Sequence, residues 1–517
     1  MPGKALHIGA GIGLAILAWL LPRRVARARW RSLPALALDA LPVALLWGLL
    51  LVATARPLFA GFAVLALIGG LALADRVKRD TLREPVVFSD MAELPYLFTH
   101  PHLYLPFAGT GMVVGGAVLA LAVALLMLLL ERALWSLSPL PIAGAVAFVW
   151  AAGWMLAHEP GLGAAAALLR RLGPSGDPLA DSARLGPIAS LFVYGIIARQ
   201  ERAVRRARVA APAVLPPRLE RGAPVVLVQC ESFFDARRLA PRLFSGLLPG
   251  FAACCADRAT FGRLDVAGWG ANTMRAEFAA LTGIADDDLG YDRFNPYHAF
   301  ARAVVASLAW RLRAAGYRTV CLHPFDRWFY RRDRVLPALG FERFLGRESL
   351  GGARRPPYCP DPELARHVLR LLDAEGPRLF LFAITMGNHG PWSRPAAPPD
   401  PELARLLDAD GLPQGGELLC YLDGLRGSDA MLQILLEGFK ERGLDGLLVF
   451  YGDHQPSLPR AFAHFGLADG ASDYVLWQNG EAQSRRLDLP AHRLPDLILE
   501  ALRARTPIAA QAAGASG

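Results

Sequence analysis

Hydrophobic residues along this chain follow two different patterns, and the change falls near residue 160. Before that point, long apolar runs each approach the roughly 20 residues that an α-helix needs to cross a bilayer. We therefore predict a transmembrane helical domain over residues 1–160. Its spans are predicted at 5–22, 34–54, 57–75, 107–130 and 138–157. The polar, aromatic stretch 76–106 is predicted to be a loop at the membrane surface, where aromatic rings are enriched.

Residues 161–222 are predicted to be an amphipathic and basic connector. Its apolar part, 186–198, is short for a span, so a sixth crossing and a helix in the interface both stay open. The basic part that follows is either a helix on the membrane surface or a plain solvated helix, and it leads into a linker. These parts contain Arg199, Arg202, Arg205, Arg206 and Arg208, then Pro212, Pro216 and Pro217.

From residue 223 to 505 the pattern is that of an α/β domain. Short apolar runs alternate with helical stretches, and continuous apolar strands separated by helices are typical of a mainly parallel sheet buried on both faces. The predicted strands lie at 225–229, 319–322, 379–385 and 447–451. The Ala- and Gly-rich residues 506–517 are predicted to be a disordered tail.

Composition supports a membrane protein. Hydrophobic residues make up 53% of the chain and the mean hydropathy is +0.30, which is too apolar for a wholly soluble enzyme. Charged residues are 20% of the chain, yet the net charge is +9, so basic residues must lie between the apolar blocks. Such residues contact lipid phosphates, and no nucleic-acid-binding motif is present. We expect membrane lipid as a partner and no nucleic acid.

Charge alone does not settle the orientation in the membrane. Basic clusters occur at 23–31 and 76–83. With five spans, both clusters share a side with everything after residue 158, and the positive-inside rule then places the C-terminal part in the cytoplasm. A sixth crossing would reverse this result.

One stretch in the α/β part has the pattern of a glycine turn that opens a helix. Gly268 and Gly270 permit a tight turn, and Asn272-Thr273 then begins an amphipathic run that stops at Gly283. A helix start offers unpaired N–H groups and a positive dipole to an anion. The Thr273 hydroxyl is therefore well placed to attack a phosphoryl group if its pKa is lowered.

Polar residues follow each predicted strand, and ligand sites in such sheets form at the carboxyl ends of strands. The clusters are Glu231 after the first strand, His323, Asp326 and Arg332 after the second, His389 after the third, and Asp453 and His454 after the fourth. A Glu, an Asp and a His at a common edge suit a divalent metal such as Mn²⁺, Mg²⁺ or Zn²⁺. A metal on the Thr273 oxygen would lower its pKa, and Arg332 and His389 would hold phosphate oxygens.

Four ordered motifs resemble the lipoteichoic acid synthase family, which includes phosphoglycerol transferases and has the sulfatase/alkaline phosphatase-like fold. These motifs lie at 226–233, 270–283, 386–391 and 451–454. The resemblance covers about 223–500, and the spans before it match the family's layout.

The resemblance implies that Glu231, Thr273, Asp453 and His454 bind one metal ion, with Mn²⁺ or Mg²⁺ as the expected ion and Zn²⁺ as another. It also implies that Thr273 is the nucleophile, which takes glycerophosphate from phosphatidylglycerol before an envelope glycan or polymer hydroxyl collects it.

The resemblance further implies a set of substrate-binding residues. Tyr330 stands where the family has Trp, and the acidic partner that follows His323 is displaced to Asp326, which leaves headgroup specificity open. The implied set is His389, Arg332, Tyr330, Asp326 and His323. The family's catalytic domain faces outward from the bacterial cytoplasmic membrane, and we follow the family against the charge pattern.

The sequence also bears on four other functions. A sulfatase of this fold uses a Cys-x-Pro-x-Arg pentapeptide or its Ser equivalent, and Cys359-Pro360-Asp361-Pro362-Glu363 does not fit it. A phosphoethanolamine transferase would also use a Thr nucleophile and a membrane anchor. A non-catalytic membrane scaffold is disfavoured because all four metal-type residues are present. A transporter is disfavoured because no ionisable pairs recur inside the spans.

Overall fold

The computed structural model describes residues 2–30, 32–210, 222–350, 358–392, 401, 403, 404, 407, 411–479 and 483–504. The chain divides into two compact units, Met1–Ala203 with Gly290–Phe294, and Val204–Leu289 with Asn295–Gly517. The predicted proline linker at 212–217 and the predicted tail at 506–517 lie outside the described residues. The boundaries that we placed at 160 and 222 stay predictions.

The first unit is helical. Its ten helices within the described residues are α1 Pro2–Val25, α2 Leu33–Thr54, α3 Pro57–Leu82, α4 Leu94–Thr99, α5 Pro101–Ala108, α6 Thr110–Leu130, α7 Pro139–Ala157, α8 Gly161–Arg170, α9 Pro178–Leu185 and α10 Pro187–Val209. Five of these, α1, α2, α3, α6 and α7, are long and apolar enough to cross a membrane. Each of the five predicted spans is therefore present as a helix.

One prediction about this unit needs correction, and the structure extends another. The stretch 76–106 is not a loop, because α3 continues to Leu82 and a 3₁₀ turn, α4 and α5 follow it. The apolar segment 186–198 forms one helix, α10, with the basic residues after it, and α10 is not among the five helices within the described residues that are long and apolar enough to cross a membrane.

The start of α10 is fixed by a buried acidic residue on α2. The Asp39 carboxylate accepts hydrogen bonds from the backbone N–H groups of Ile188 and Ala189, both at 2.9 Å. Arg23 pairs with the same carboxylate at 2.8 Å. A carboxylate at a helix N-terminus accepts from the unpaired N–H groups and interacts favourably with the positive end of the helix dipole. This contact explains why a helix begins here.

The second unit is built on one sheet of nine strands. They are β1 Val225–Cys230, β2 Ala259–Asp265, β3 Arg318–Leu322, β4 Arg343–Leu345, β5 Leu379–Ile384, β6 Leu447–Gly452, β7 Ser472–Gln478, β8 Arg485–Arg486 and β9 Leu489–Pro490. Their order is β4-β3-β5-β1-β6-β7-β2-β8, and β9 also pairs with β2. The five strands from β4 to β6 are parallel to one another, while β7 is antiparallel to both of its neighbours.

Helices flank this sheet. Their bounds are α11 Pro249–Ala256, α12 Thr273–Thr282, α13 Asp286–Leu289, α14 Pro296–Phe300, α15 Leu308–Ala314, α16 Arg332–Ala338, α17 Asp361–Glu375, α18 Gly415–Glu441, α19 Pro459–Phe465 and α20 Leu494–Ala504. Alternate residues of β1 join different cores: Val226 and Val228 pack in one, and Val225 and Leu227 pack in the other. Both faces are therefore covered, as continuous apolar strands require.

The fold prediction is confirmed in its parallel centre and incomplete at its edge. All four predicted strands exist, each within one residue of the expected bounds. The antiparallel strands β2 and β7 were not predicted. In β2 the polar residues Thr260, Arg263 and Asp265 are wholly or partly exposed, so this strand lacks the continuous apolar run by which buried strands are recognised.

Candidate metal and phosphate site

The register of the parallel strands determines which side chains meet at the carboxyl edge of the sheet. Cys230 at the end of β1 pairs with Gly452 at the end of β6. Glu231 and Asp453, the next residues, therefore leave two adjacent strands at the same level. On the other side of β1, β5 and then β3 end at this edge, and they bring the loop that contains His389 and the side chain of His323 to the same region.

Three of the predicted metal ligands form one compact group. Ligand atoms of Glu231, Asp453 and His454 all lie within 4.8 Å of one another. The Nε2 atom of His454 is 3.5 Å from Glu231 Oε1 and 3.3 Å from Asp453 Oδ2. Ligand atoms that share one ion at roughly 2.0–2.2 Å lie about 3 to 3.5 Å apart, so the group has the spacing of a single-ion site.

Two further observations support a cation at this position. Asp453 Oδ2 is buried and has no hydrogen-bond partner among the described residues. A buried carboxylate oxygen without a partner is costly unless a cation or donor faces it. Burial, and next the Asp453 carboxylate, raise the pKa of Glu231 to about 8. A divalent cation bound between these groups would offset both effects.

The orientation of His454 suits a metal ligand. Its Nδ1 donates to the backbone carbonyl of Gln455 at 2.9 Å, which leaves the lone pair of Nε2 facing Glu231 and Asp453. A second ring nitrogen bonded to a carbonyl is the usual way in which proteins fix a ligating histidine.

The backbone around these predicted ligands is tightly constrained. Ser232 has a positive φ of 55°, which is uncommon for a residue other than glycine. This conformation lets its N–H donate to Asp453 Oδ1 at 2.8 Å and its hydroxyl donate to Glu231 Oε1 at 2.9 Å. Gly452 has no room for a side chain, since a Cβ there would lie 1.8 Å from the carbonyl oxygen of Phe233.

Thr273 begins helix α12 and faces the metal group. Its Oγ1 lies 3.4 Å from His454 Nε2, and the residue is 9% exposed. The helix runs to Thr282 and stops at Gly283, as predicted, and Gly283 has a left-handed conformation. Asn272, the residue before the helix, is also left-handed, with φ 70°, and its side chain makes no cap hydrogen bond.

The turn that carries Thr273 is anchored by Gln455, a residue that the sequence did not identify. The Gln455 carbonyl accepts from the N–H of Gly270 at 3.0 Å, and its side-chain oxygen accepts from the indole N–H of Trp269 at 3.1 Å. Because Gln455 directly follows His454, the turn and the metal group are held by the same segment. The only sequence signal was its position next to the Asp-His pair.

Arg332 is buried beside the site and held by several partners. Its Nε and Nη2 donate to the two carboxylate oxygens of Glu277 at 3.1 and 2.7 Å, and its Nη1 donates to Nε2 of His323 at 3.1 Å. Burial would lower the pKa of Arg332, but the adjacent Glu277 outweighs it and raises that pKa. Burial, and next Arg332, hold the pKa of His323 well below its ordinary value, so His323 accepts as a neutral ring.

The other residues predicted after β3 have separate positions. The Tyr330 ring lies next to the Arg332 guanidinium, 5.4 Å from the ring centroid. Tyr330 and Arg331 both have positive φ values, 55° and 58°, so the turn is strained where it presents Arg332. Asp326 forms an ion pair with Arg347 at 3.2 Å, which engages its carboxylate outside the metal group.

His389 lies half-buried in the loop after β5, and burial lowers its pKa. Its Nδ1 is 3.4 Å from the hydroxyl of Tyr358, and the two rings are 5.4 Å apart. Burial, and next the Glu231 carboxylate, raise the pKa of Tyr358. Tyr358 therefore lies in this site, although the sequence offered no strand end or motif to mark it.

A buried carboxylate three residues after Tyr358 supports the same loop. Asp361 accepts from the N–H of Gly387 at 3.0 Å and from the hydroxyl of Ser428 at 2.7 Å. Burial raises the pKa of Asp361 to about 6. The segment 358–361 thus contacts the His389 loop at two points.

Comparison with known proteins identifies the family of this chain. The chain matches the Sulfatase family over residues 224–500, more than half of its length. It is 30% identical over 443 residues to the capsular polysaccharide biosynthesis protein RkpI of Rhizobium meliloti (strain 1021), covering 81% of this chain and 77% of that protein. The chain belongs to the sulfatase family, and the predicted fold class is confirmed.

Solved structures with a similar fold include two bacterial enzymes. The lipoteichoic acid synthase LtaP from Listeria monocytogenes is 18% identical, with a TM-score of 0.43 over 59% of this chain and 78% of that one. The Streptococcus pyogenes phosphoglycerol transferase GacH, in complex with sn-glycerol-1-phosphate, is 22% identical, with a TM-score of 0.42 over 59% of this chain and 80% of that one. At these values the likeness concerns the fold alone.

Proposed function

We propose that this protein is a membrane-anchored, metal-dependent phosphotransferase that moves glycerophosphate from phosphatidylglycerol to a hydroxyl of an envelope glycan or polymer. The observation that carries the proposal is the position of Thr273. Its hydroxyl begins a helix 3.4 Å from His454 Nε2, beside two carboxylates of which one buried oxygen has no partner among the described residues. A hydroxyl at a cation site and a helix N-terminus is suited to attack a phosphoryl group.

Transfer would proceed in two balanced steps. In the first, Thr273 Oγ1 bonds to phosphorus while the bond from phosphorus to the diacylglycerol oxygen breaks, and diacylglycerol leaves with the proton that Thr273 gave up. In the second, the acceptor oxygen bonds to phosphorus while the bond to Thr273 breaks, and a proton returns to the Thr273 oxygen. Between the two steps the glycerophosphate group is bonded to Thr273 as a phosphothreonine intermediate.

The metal would be held by Glu231, Asp453 and His454 together with Thr273. Mn²⁺ or Mg²⁺ is the proposed ion and Zn²⁺ the alternative, since an O/N ligand set accepts all three. When bound, the ion supplies charge stabilisation for phosphoryl oxygens and lowers the pKa of a coordinated hydroxyl.

The substrate would be positioned by residues around the metal group. Arg332 and His389 are proposed to hold the phosphate oxygens, and Tyr330 to line the headgroup position next to Arg332. His323 would act through its hydrogen bond to Arg332. Asp326 is proposed to contribute through the turn that presents Tyr330 and Arg332, because its carbonyl accepts from the N–H of Phe329.

The proposal also includes an acceptor and a cellular location. A relative of this chain is named a capsular polysaccharide biosynthesis protein, and this name supports a glycan acceptor. We place the chain in the bacterial cytoplasmic membrane with the catalytic unit on the outer face, where such glycans are exposed. This placement disagrees with the positive-inside rule applied to five spans, and fusion reporters at the C-terminus would decide it.

The test is intact-mass analysis of the full-length protein in detergent after incubation with phosphatidylglycerol and Mn²⁺. We expect a glycerophosphate adduct that maps to Thr273, is absent from Thr273→Ala, and is lost with chelator and restored by Mn²⁺. Thr282→Ala is the matched control, because Thr282 lies at the far end of the same helix.

The other outcomes are equally informative. A phosphoethanolamine adduct formed from phosphatidylethanolamine would keep the mechanism and replace the donor. A folded, metal-loaded protein that forms no adduct and leaves the lipid intact would refute the transferase and favour a non-catalytic scaffold.

A further inference from the structure

The Glu277 carboxylate is the centre of a buried hydrogen-bond cluster that has no assigned part in the transfer. The side chain is fully buried. It accepts two bonds from Arg332, one from Gln229 Nε2 at 3.0 Å and one from the hydroxyl of Tyr297. A carboxylate offers about four lone-pair sites, so protein donors fill its capacity. Glu277 therefore has no site left for a substrate or a metal.

Glu277 is tied to the proposed nucleophile by its position in the chain. Thr273 and Glu277 are four residues apart in α12. Residues with this spacing lie one above the other on the same face of a helix. One rigid turn of helix thus separates the proposed nucleophile from the carboxylate that holds Arg332.

Arg332 has more N–H donors than its buried partners occupy. A guanidinium has five N–H donors in a fixed plane. Two bind Glu277 and one binds His323, so one N–H on each terminal nitrogen stays unassigned among the contacts of the described residues. A phosphate oxygen pair is the kind of ligand that such a planar pair of donors recognises.

We propose that Glu277 is a positioning residue that fixes the plane of the Arg332 guanidinium. One turn of α12 separates Glu277 from Thr273 and so sets the distance between Arg332 and the proposed nucleophile. The two remaining N–H groups of Arg332 then meet the non-bridging oxygens of the phosphodiester. This role rests on the proposed function, because it needs a phosphoryl group at Thr273. Glu277 makes no contact with the substrate and acts only through Arg332.

A simpler role is possible for any buried ion pair, namely holding α12 to α16. A purely structural ion pair would lower the melting temperature but leave the phosphate inhibition constant of the folded protein unchanged, whereas a positioning residue weakens phosphate inhibition. Paired substitutions then show whether Glu277 acts through Arg332. If Glu277 acts through Arg332, removing it costs nothing further once Arg332 is gone. If the two residues contribute independently, the effects multiply.

The experiment is a double-mutant cycle in the full-length, Mn²⁺-loaded protein with Glu277→Gln, Arg332→Met and the double variant. Two quantities are measured: the rate of adduct formation on Thr273, and the inhibition constant of inorganic phosphate. Tyr297→Phe is the matched control, since it removes one donor to Glu277 and leaves both Arg332 contacts. Metal content and the melting temperature are recorded for every variant.

We expect Glu277→Gln to slow adduct formation by about 10- to 100-fold, because a neutral amide cannot accept both guanidinium N–H groups and a misplaced binding group costs this much. Phosphate inhibition should weaken in parallel while metal content stays unchanged. The double variant should match Arg332→Met, and Tyr297→Phe should stay close to wild type.

Three results would count against the role. They are a wild-type rate and phosphate affinity for Glu277→Gln, a double variant in which the two effects multiply, or a loss in Tyr297→Phe as large as in Glu277→Gln. If Glu277→Gln does not fold, Glu277→Asp keeps the charge, withdraws it by one methylene and is judged by the same comparison. A wild-type protein without an adduct would refute the proposed function, whereas a normal adduct rate in Glu277→Gln would refute the positioning role alone.

Discussion

Gly452, the last residue of β6, offers a sharp test of the site geometry. A Cβ at this position would lie 1.8 Å from the carbonyl oxygen of Phe233 and 2.3 Å from the hydroxyl of Ser472. The nearest obstacle is backbone, so no side-chain rotation can relieve the overlap, and strand β6 must move by more than 1 Å. Because Gly452 pairs with Cys230 and precedes Asp453, this movement displaces Asp453 from Glu231.

The magnitude follows from the size of the overlap. Inserting atoms into a close-packed region typically costs about 1–3 kcal/mol, and contact with a backbone carbonyl puts Gly452→Ala at or above about 3 kcal/mol on the same scale. A shift of about 1 Å in a catalytic group costs roughly 100-fold in rate. We expect a lower melting temperature, weaker Mn²⁺ binding by calorimetry and at least that loss of adduct formation.

Gly427→Ala is the matched control for Gly452→Ala. Gly427 lies in α18, and a Cβ there meets nothing within 4 Å. Replacing a helical glycine by alanine stabilises by roughly 0.5–1 kcal/mol, so this variant should be slightly more stable and fully active. Normal stability together with normal Mn²⁺ affinity in Gly452→Ala would show that the strand-end geometry described above is wrong.

Two further predictions concern the loop that carries His389. Burial raises the pKa of Asp361 from an ordinary 3.8 to about 6, so its contribution to stability is complete below pH 3.8 and is lost as the pH rises through about 6. The Asn side chain in Asp361→Asn does not titrate, so this variant should be more stable than wild type at pH 8 by up to about 3 kcal/mol, but not at pH 4. The free energy of unfolding is measured by denaturant titration at both pH values. An equal difference between variant and wild type at pH 8 and pH 4 would contradict the prediction. Tyr358→Phe keeps the ring beside His389 and removes the hydroxyl, so KM for the lipid donor should rise by roughly fivefold, the equivalent of about 1 kcal/mol, with the melting temperature unchanged. Tyr474→Phe is the control for Tyr358→Phe, because the Tyr474 hydroxyl donates to the Leu487 carbonyl. An unchanged KM in Tyr358→Phe would show that Tyr358 is not part of the site.

Local sequence was enough to predict the elements that depend on composition alone. The five apolar runs, each long enough to cross a bilayer as a helix, are helices in the structure. They could be predicted because length and hydropathy are properties of one continuous segment. The four central strands were recognisable because a parallel sheet covered on both faces needs uninterrupted apolar runs. Glu231, Asp453 and His454 were identifiable because residues that follow parallel strands arrive at one edge.

Tertiary structure decided everything that depends on which distant segments meet. Ser232 and Asp453 are 221 residues apart, yet they bond directly because β1 and β6 are neighbours in the sheet. Glu277 and Tyr358 contact the predicted site residues Arg332 and His389. Gln455 contacts Trp269 in the turn that carries Thr273, and in each case the partner lies elsewhere in the chain. No local pattern marks such residues, because a polar side chain near a helix or loop looks the same whether it meets solvent or a buried arginine. The sequence therefore determined the residue types of the predicted metal site, and the strand register with helix packing determined how their side chains are oriented.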